Sequence, residues 1–153
     1  ISNHAAVGQE CRHNLNYWQA ADWIGIGPGA HGRFAVFEPK RGCLSRIATM
    51  IRRSPAGWLN AVNRKGHGIE KKEIDTPKDW AHEMVMMGLR LSDGIHLDTI
   101  KALCGPVESW LDFTAVDQCI ESGWLHHDHE TSSLVATLHG RLRLNHILSA
   151  ILL

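Results

Sequence analysis

Trp124-Leu125-His126-His127-Asp128-His129-Glu130-Thr131-Ser132-Ser133-Leu134-Val135-Ala136 sets two short strand-compatible runs on either side of a polar turn. The pattern predicts a hairpin. Upstream, Val107 to Ser122 predicts a helix ended by Gly123, and His96 to Leu103 predicts a shorter one closed by Gly105-Pro106. Downstream, His139 to Leu153 can form a closing helix bearing Leu142, Leu144, Ile147, Leu148 and Ile151. With Gly94 breaking the chain ahead of them, these elements run helix, turn, helix, hairpin, helix. That is the order of a winged helix, so the fold class is α+β with a mostly helical, winged-helix-like C-terminal domain.

Further toward the N-terminus, Thr76-Pro77-Lys78-Asp79 opens a longer helix with Trp80, Met84, Met87 and Leu91 at helical intervals. Its methionines read as flexible apolar filler rather than as sulfur ligands. Ser54-Pro55 opens another helix, carrying Trp58, Leu59 and Val62, with Pro55 in the first turn where its missing N–H costs nothing. The run Lys65-Gly66-His67-Gly68 ends it. No internal repeat or low-complexity tract interrupts the chain.

A winged helix raises DNA binding as a function, and the residues argue against it. A recognition helix offers Lys or Arg to phosphates and base edges. The corresponding segment, Glu108 to Glu121, has four carboxylates and no base. A lid or protein-docking role suits this domain better, and no nucleic-acid partner is expected. His127 and His129 would share a strand face and could hold a metal weakly with a carboxylate, but no fourth ligand lies nearby in sequence. A solvated turn is the favoured reading of that cluster.

The chemistry concentrates near the N-terminus. In Cys11-Arg12-His13-Asn14-Leu15-Asn16-Tyr17-Trp18, helical spacing stands His13 beside Tyr17 and Asn14 beside Trp18. One stripe then carries an imidazole able to bind a metal, and the next a large planar aromatic. The pair suits a flat, partly apolar ligand such as a porphyrin, whose iron is commonly held by one His nitrogen. A capping or surface His and a core Trp remain the plain alternative. Gly25-Ile26-Gly27-Pro28-Gly29-Ala30-His31-Gly32 follows. It contains G-x-G-x-x-G, but the dinucleotide fingerprint needs a helix opening at the glycines. Here the β-compatible run Arg33 to Phe37 follows instead, ending at Glu38-Pro39. The glycines therefore predict a sharp bend after a strand Trp23 to Ile26, passing close to a ligand, with His31 at its tip. A tight turn with an exposed His is the alternative.

These two motifs, continued through PAGWLNAV, EMVMMGLRLSDGI, ESGWL and LHGRLRLN, closely resemble the C-terminal third of the radical SAM proteins of the HemN/HemW family. The resemblance covers nearly the whole chain, beginning with ISNHA at Ile1. It implies that residues 1–45 are the C-terminal edge of a radical SAM partial barrel, contributing its terminal helix and strand elements. Residues 46–153 would then be the HemN-type helical, winged-helix domain. The H-N-x-x-Y-W pattern resembles the haem-chaperone branch. By that likeness His13 is the haem-iron ligand, with Asn14, Tyr17 and Trp18 around the cofactor. Gly27, Gly29, Ala30 and His31 would close the edge of the S-adenosylmethionine pocket. The intact protein would bind a [4Fe–4S] cluster, S-adenosylmethionine and haem, and deliver haem to acceptor haemoproteins. The alternatives are oxygen-independent oxidative decarboxylation of coproporphyrinogen III, and a docking module without cofactor chemistry.

The family's cluster needs a C-x-x-x-C-x-x-C loop, and the chain has only Cys11, Cys43, Cys104 and Cys119. This segment is expected to carry no catalytic residue of its own, and a start at Ile1 rather than Met suggests the tail of a longer protein. Composition agrees with a cytoplasmic globular chain: 153 residues, 44% hydrophobic, four scattered cysteines and no secretion signal. No apolar run reaches the length of a membrane span. Net charge is zero with His neutral, giving no pull toward nucleic acid or anionic lipid. Eleven histidines would turn the chain positive in mild acid. A homo-oligomer is compatible with all of this.

Overall fold

A computed structural model describes residues 4–6, 8–38 and 43–153. Ile1, Ser2 and Asn3 of the family-like segment, and Pro39 after the first strand, lie outside the described residues. The chain divides into two compact units, one of residues 21–76 and one of residues 1–20 with 77–153.

The 21–76 unit is an antiparallel sheet with one helix. Strand β1 (His31–Glu38), β2 (Cys43–Ile51) and β3 (Ile69–Asp75) lie in the order β1-β2-β3, and α2 (Pro55–Lys65) connects the last two. As expected from Ser54-Pro55, the Ser54 side chain caps α2 by accepting from Gly57 N, and Gly66 ends it in the left-handed conformation. β2 is the middle strand, with Arg46, Ile47, Ala48, Thr49 and Ile51 all buried. The wholly buried Arg46 has its guanidinium carbon 5.7 Å from the Trp23 ring centroid and faces Asp75 in the β2–β3 register. Arg33 also reaches Asp75, at 3.7 Å.

The expected strand Trp23 to Ile26 does not form. Trp23 makes a single antiparallel bridge with Arg33, while Ile24 and Ile26 are 77% and 88% exposed. A Cβ on Gly25 would run into the His31 carbonyl. The segment thus lies flat on the start of β1 and turns away at Gly27 before a second bridge can follow.

The other unit begins with α1 (Arg12–Trp18). It continues through α3 (Pro77–Gly88), β4 (Ile95–His96), α4 (Leu97–Cys104), a 3-10 turn (Val107–Ser109) and α5 (Phe113–Glu121). The hairpin β5 (Leu125–Asp128) and β6 (Ser133–Ala136) follows, then α6 (Leu138–Arg141) and α7 (Leu144–Ile151). Its sheet order is β4-β6-β5. The hairpin forms where the sequence predicts it. Its turn is held by Asp128, whose carboxylate accepts from Glu130 N at 2.9 Å and Thr131 N at 3.3 Å. The Thr131 side chain, with those two backbone bonds, holds the Asp128 pKa below its ordinary value. Leu89, Ile100, Leu111, Leu134, Ile147 and Ile151 form the centre of the core. Each contributes about 2 kcal/mol relative to exposure.

Two expected helices are broken. Residues 107–122 split because Leu111 pairs with Leu152, and Asp112 N donates to Ile151 O at 2.8 Å. Asp112 then caps α5 by accepting from Ala115 N at 3.2 Å. The closing helix splits at Leu142–Arg143, giving α6 and α7, while Leu142 stays 83% exposed. On α3 the buried face is Trp80, Ala81, Val85 and Gly88, one step round from the predicted stripe, and Leu91 lies beyond the helix end. Met86 is exposed, so it fills no core gap, while Met84 and Met87 are half-buried.

His82 on α3 gives a pH test. Burial, aided by Lys78, lowers its pKa from the ordinary 6.5, against weaker opposing effects from Asp79 and the Leu153 backbone. The unfolded chain therefore takes up this proton first. The stability that follows from a neutral His82 is complete above pH 6.5 and declines as pH falls through and below it. We expect His82→Gln to flatten the drop in melting temperature between about pH 7 and 5 relative to the unmodified protein. Parallel curves would remove His82 from this role.

Candidate functional site

The His13/Tyr17 and Asn14/Trp18 stripes form on α1 as spacing requires. Tyr17 Oη lies 3.2 Å from His13 Nε2, with the rings edge-on at 4.9 Å between centroids. His13 is exposed, so its ring is open to a ligand from outside. Asn14 and Trp18 face a different space. With Leu15 they form one wall of a groove of about 1050 Å³. His4, Ala5, Glu10 and Cys11 ahead of α1, the turn Arg90–Ser92 after α3 and the residues Arg141 to His146 at the α6–α7 junction form the rest. A groove of this size accommodates a large planar organic molecule.

The groove is cationic. Arg90, Arg141 and Arg143 line it, against Glu10 as the acidic residue. The Arg90 guanidinium carbon sits 5.9 Å from the Trp18 ring centroid. Its Nη1 is buried and has no hydrogen-bond partner among the described residues. Arg141 is engaged, donating to Ala136 O at 3.3 Å and Leu91 O at 3.4 Å. Arg143 and His146 both pack on Trp124, at 5.6 and 5.9 Å. Residue spacing along α1 could not reveal these partners, because they come from segments far away in sequence. The available signal was the pair of arginines in Arg141-Leu142-Arg143, next to the last apolar run.

Gly27, Gly29, Ala30 and His31 fall in the other compact unit. Gly27 and Gly29 have φ of 95° and 75°, a region that side chains disfavour. The turn is tied to the end of β2 by Gly29 N to Arg52 O at 3.0 Å and Ile51 N to Ala30 O at 2.8 Å. His31 is the first residue of β1 and is exposed, rather than standing at the tip of the bend.

The donor set separates the implied cofactors. A planar, carboxylate-bearing tetrapyrrole fits the groove's aromatic wall and its orphaned arginine donor, while the exposed His13 imidazole stands outside the groove lining. An iron–sulfur cluster does not fit here. Cys11 is exposed while Cys104 and Cys119 are buried, and no group of three metal-binding side chains occurs among the described residues. The His127 and His129 rings approach to 4.2 Å, but they belong to no group of three metal-binding side chains among the described residues.

Comparison with known proteins places the chain. Residues 75–143 match the HemN C-terminal domain. Beyond that domain match, the chain is similar to proteins named as HemW heme chaperones and as radical S-adenosyl methionine domain-containing proteins. It is 32% identical to heme chaperone HemW of Escherichia coli over 151 residues, 99% of this chain and 36% of that protein. It is 36% identical to the mitochondrial radical S-adenosyl methionine domain-containing protein 1 of Bos taurus over 95 residues, 62% of this chain and 21% of that protein. The fold resembles that of coproporphyrinogen III oxidase (HemN) from Escherichia coli, a radical SAM enzyme, with a TM-score of 0.57 and 15% identity. That match covers 85% of this chain and 28% of the oxidase. The match thus spans about a fifth to little more than a third of these relatives' length. Among its described residues, no helix is long and apolar enough to cross a membrane.

Proposed function

We propose that this chain is the haem-binding part of a HemW-type chaperone, which receives haem and passes it to acceptor haemoproteins. The observation that carries the reading is the similarity to heme chaperone HemW along 99% of the chain, with H-N-x-x-Y-W on an accessible helix face. In this role His13 presents an imidazole nitrogen to the iron. Tyr17, 3.2 Å away, fixes the ring orientation, and Trp18 supplies an aromatic face. The turn at Gly27, Gly29, Ala30 and His31 borders S-adenosylmethionine, and the [4Fe–4S] thiolates come from outside this chain. When bound, the cluster and S-adenosylmethionine supply one-electron chemistry. The reading keeps the protein in the cytoplasm, as its scattered reduced cysteines suggest.

A haem titration followed by absorbance tests it. We expect His13→Ala to shift the Soret band and lower affinity at least about tenfold, a loss near 1.4 kcal/mol. His126→Ala and His127→Ala on the hairpin should change neither. Identical spectra for His13→Ala and the unmodified protein would remove His13 as the ligand. A protein that binds no haem but decarboxylates coproporphyrinogen III would be an oxidase instead.

A further inference from the structure

We infer that the groove beside α1 is a carboxylate-recognition site, in which Arg90, backed by Trp18, pairs with a propionate of the bound tetrapyrrole. The inference rests on the haem-binding reading and adds to it the residue that would recognise the cofactor's acidic edge. His13 can hold iron, but it cannot recognise carboxylates, and it is not among the groove-lining residues.

Three observations point to Arg90. Its Nη1 is a charged donor withheld from water, with no acceptor among the described residues. A buried donor left in this state is unfavourable, and a small rotation of the Arg90 side chain toward the groove it lines would bring the guanidinium to an entering carboxylate. The other arginines are less available. Arg141 already donates from Nε to the Ala136 carbonyl and from Nη2 to the Leu91 carbonyl, and Arg143 donates to His139 O at 3.4 Å while lying over Trp124. Finally, the lining charge is positive, three arginines against Glu10. The Glu10 carboxylate accepts from Gly8 N at 3.1 Å. A neutral or cationic ligand gains nothing from such a lining, whereas a flat dianion gains a charge-assisted bond beside an aromatic face.

The probes are haem, metal-free protoporphyrin IX and the dimethyl ester of haem, titrated in one detergent buffer and followed by absorbance and tryptophan quenching. We expect Arg90→Ala to weaken haem and metal-free protoporphyrin IX about tenfold or more. Arg90→Lys should recover part of that loss. The ester should bind the unmodified protein weakly and be insensitive to Arg90→Ala. His13→Ala should behave in the opposite way, changing the haem spectrum while leaving metal-free porphyrin binding unchanged. Equal affinity for haem and its ester, or unaltered porphyrin binding by a folded Arg90→Ala, would overturn the carboxylate site while leaving iron ligation standing. Arg90-dependent binding of metal-free porphyrin with no His13-dependent haem spectrum would retain the site and remove the ligand assignment. Binding of none of the three probes would overturn both.

Discussion

Replacing Gly140 with alanine should unfold much of the 77–153 region at temperatures the unmodified protein tolerates. A Cβ at this position would run into the Trp124 carbonyl oxygen, with the Trp124 carbonyl carbon 2.8 Å and Cα 3.1 Å behind it. The obstacle is backbone, which cannot rotate aside as a side-chain tip can. It is also tied down, since Thr137 N donates to Trp124 O at 3.0 Å and Thr137 Oγ1 to Gly123 O at 2.7 Å. The same hydroxyl caps α6 by accepting from Gly140 N at 3.0 Å. Relieving the overlap therefore breaks the cap or moves the chain beside β5. We expect a loss of about 3 kcal/mol, and so a melting temperature lower by about 10 °C or more. His139→Ala, on the exposed neighbour, should be nearly neutral. A Gly140→Ala protein melting within about 2 °C of the unmodified one would show that the contact relaxes freely.

That contact also couples the fold to the groove. Arg141, the next residue, ties the α6 end to Leu91 across 50 positions of sequence. Moving Gly140 therefore disturbs both walls that the α6–α7 junction and the Arg90–Ser92 turn provide. A weakened Gly140→Ala protein should lose porphyrin affinity together with stability, whereas Arg90→Ala should lose affinity alone.

What was legible in the sequence were the features set by near neighbours. The hairpin follows from Asp128 and the polar turn after it, the start of α2 from Ser54-Pro55, and the His13–Tyr17 contact from one turn of helix. What was not legible depends on distant partners. β3 reads Ile-Glu-Lys-Lys-Glu-Ile-Asp, a solvated charge run by pattern, and it becomes a strand because β2 offers it a hydrogen-bonding edge. The break before α5 requires Leu152, some forty positions on, to pair with Leu111. Arg90 escaped notice for the same reason. A lone arginine after a helix carries no signal until Trp18 and the α6–α7 junction are set beside it.

Gly29→Val should separate the two compact units by function. Space does not forbid the substitution, because a Cβ there meets Arg53 Cγ at an ordinary 3.7 Å. The backbone does. At φ of 75° an L-residue is strained by about 1–2 kcal/mol, and a β-branched one by more. Relief would pull Gly29 N from Arg52 O and Ala30 O from Ile51 N, shifting the first residues of β1 and with them His31. On the proposed reading this turn borders S-adenosylmethionine, so the complete radical SAM protein should lose about tenfold or more in affinity for it, near 1.4 kcal/mol. Haem binding through α1 should be unchanged. Gly29→Asn discriminates the cause, because asparagine tolerates left-handed φ while still adding a side chain. Recovery with asparagine would assign the loss to backbone conformation, and persistent loss would assign it to obstruction of the nucleotide. A folded Gly29→Val protein with unchanged S-adenosylmethionine affinity would remove the glycine turn from the site.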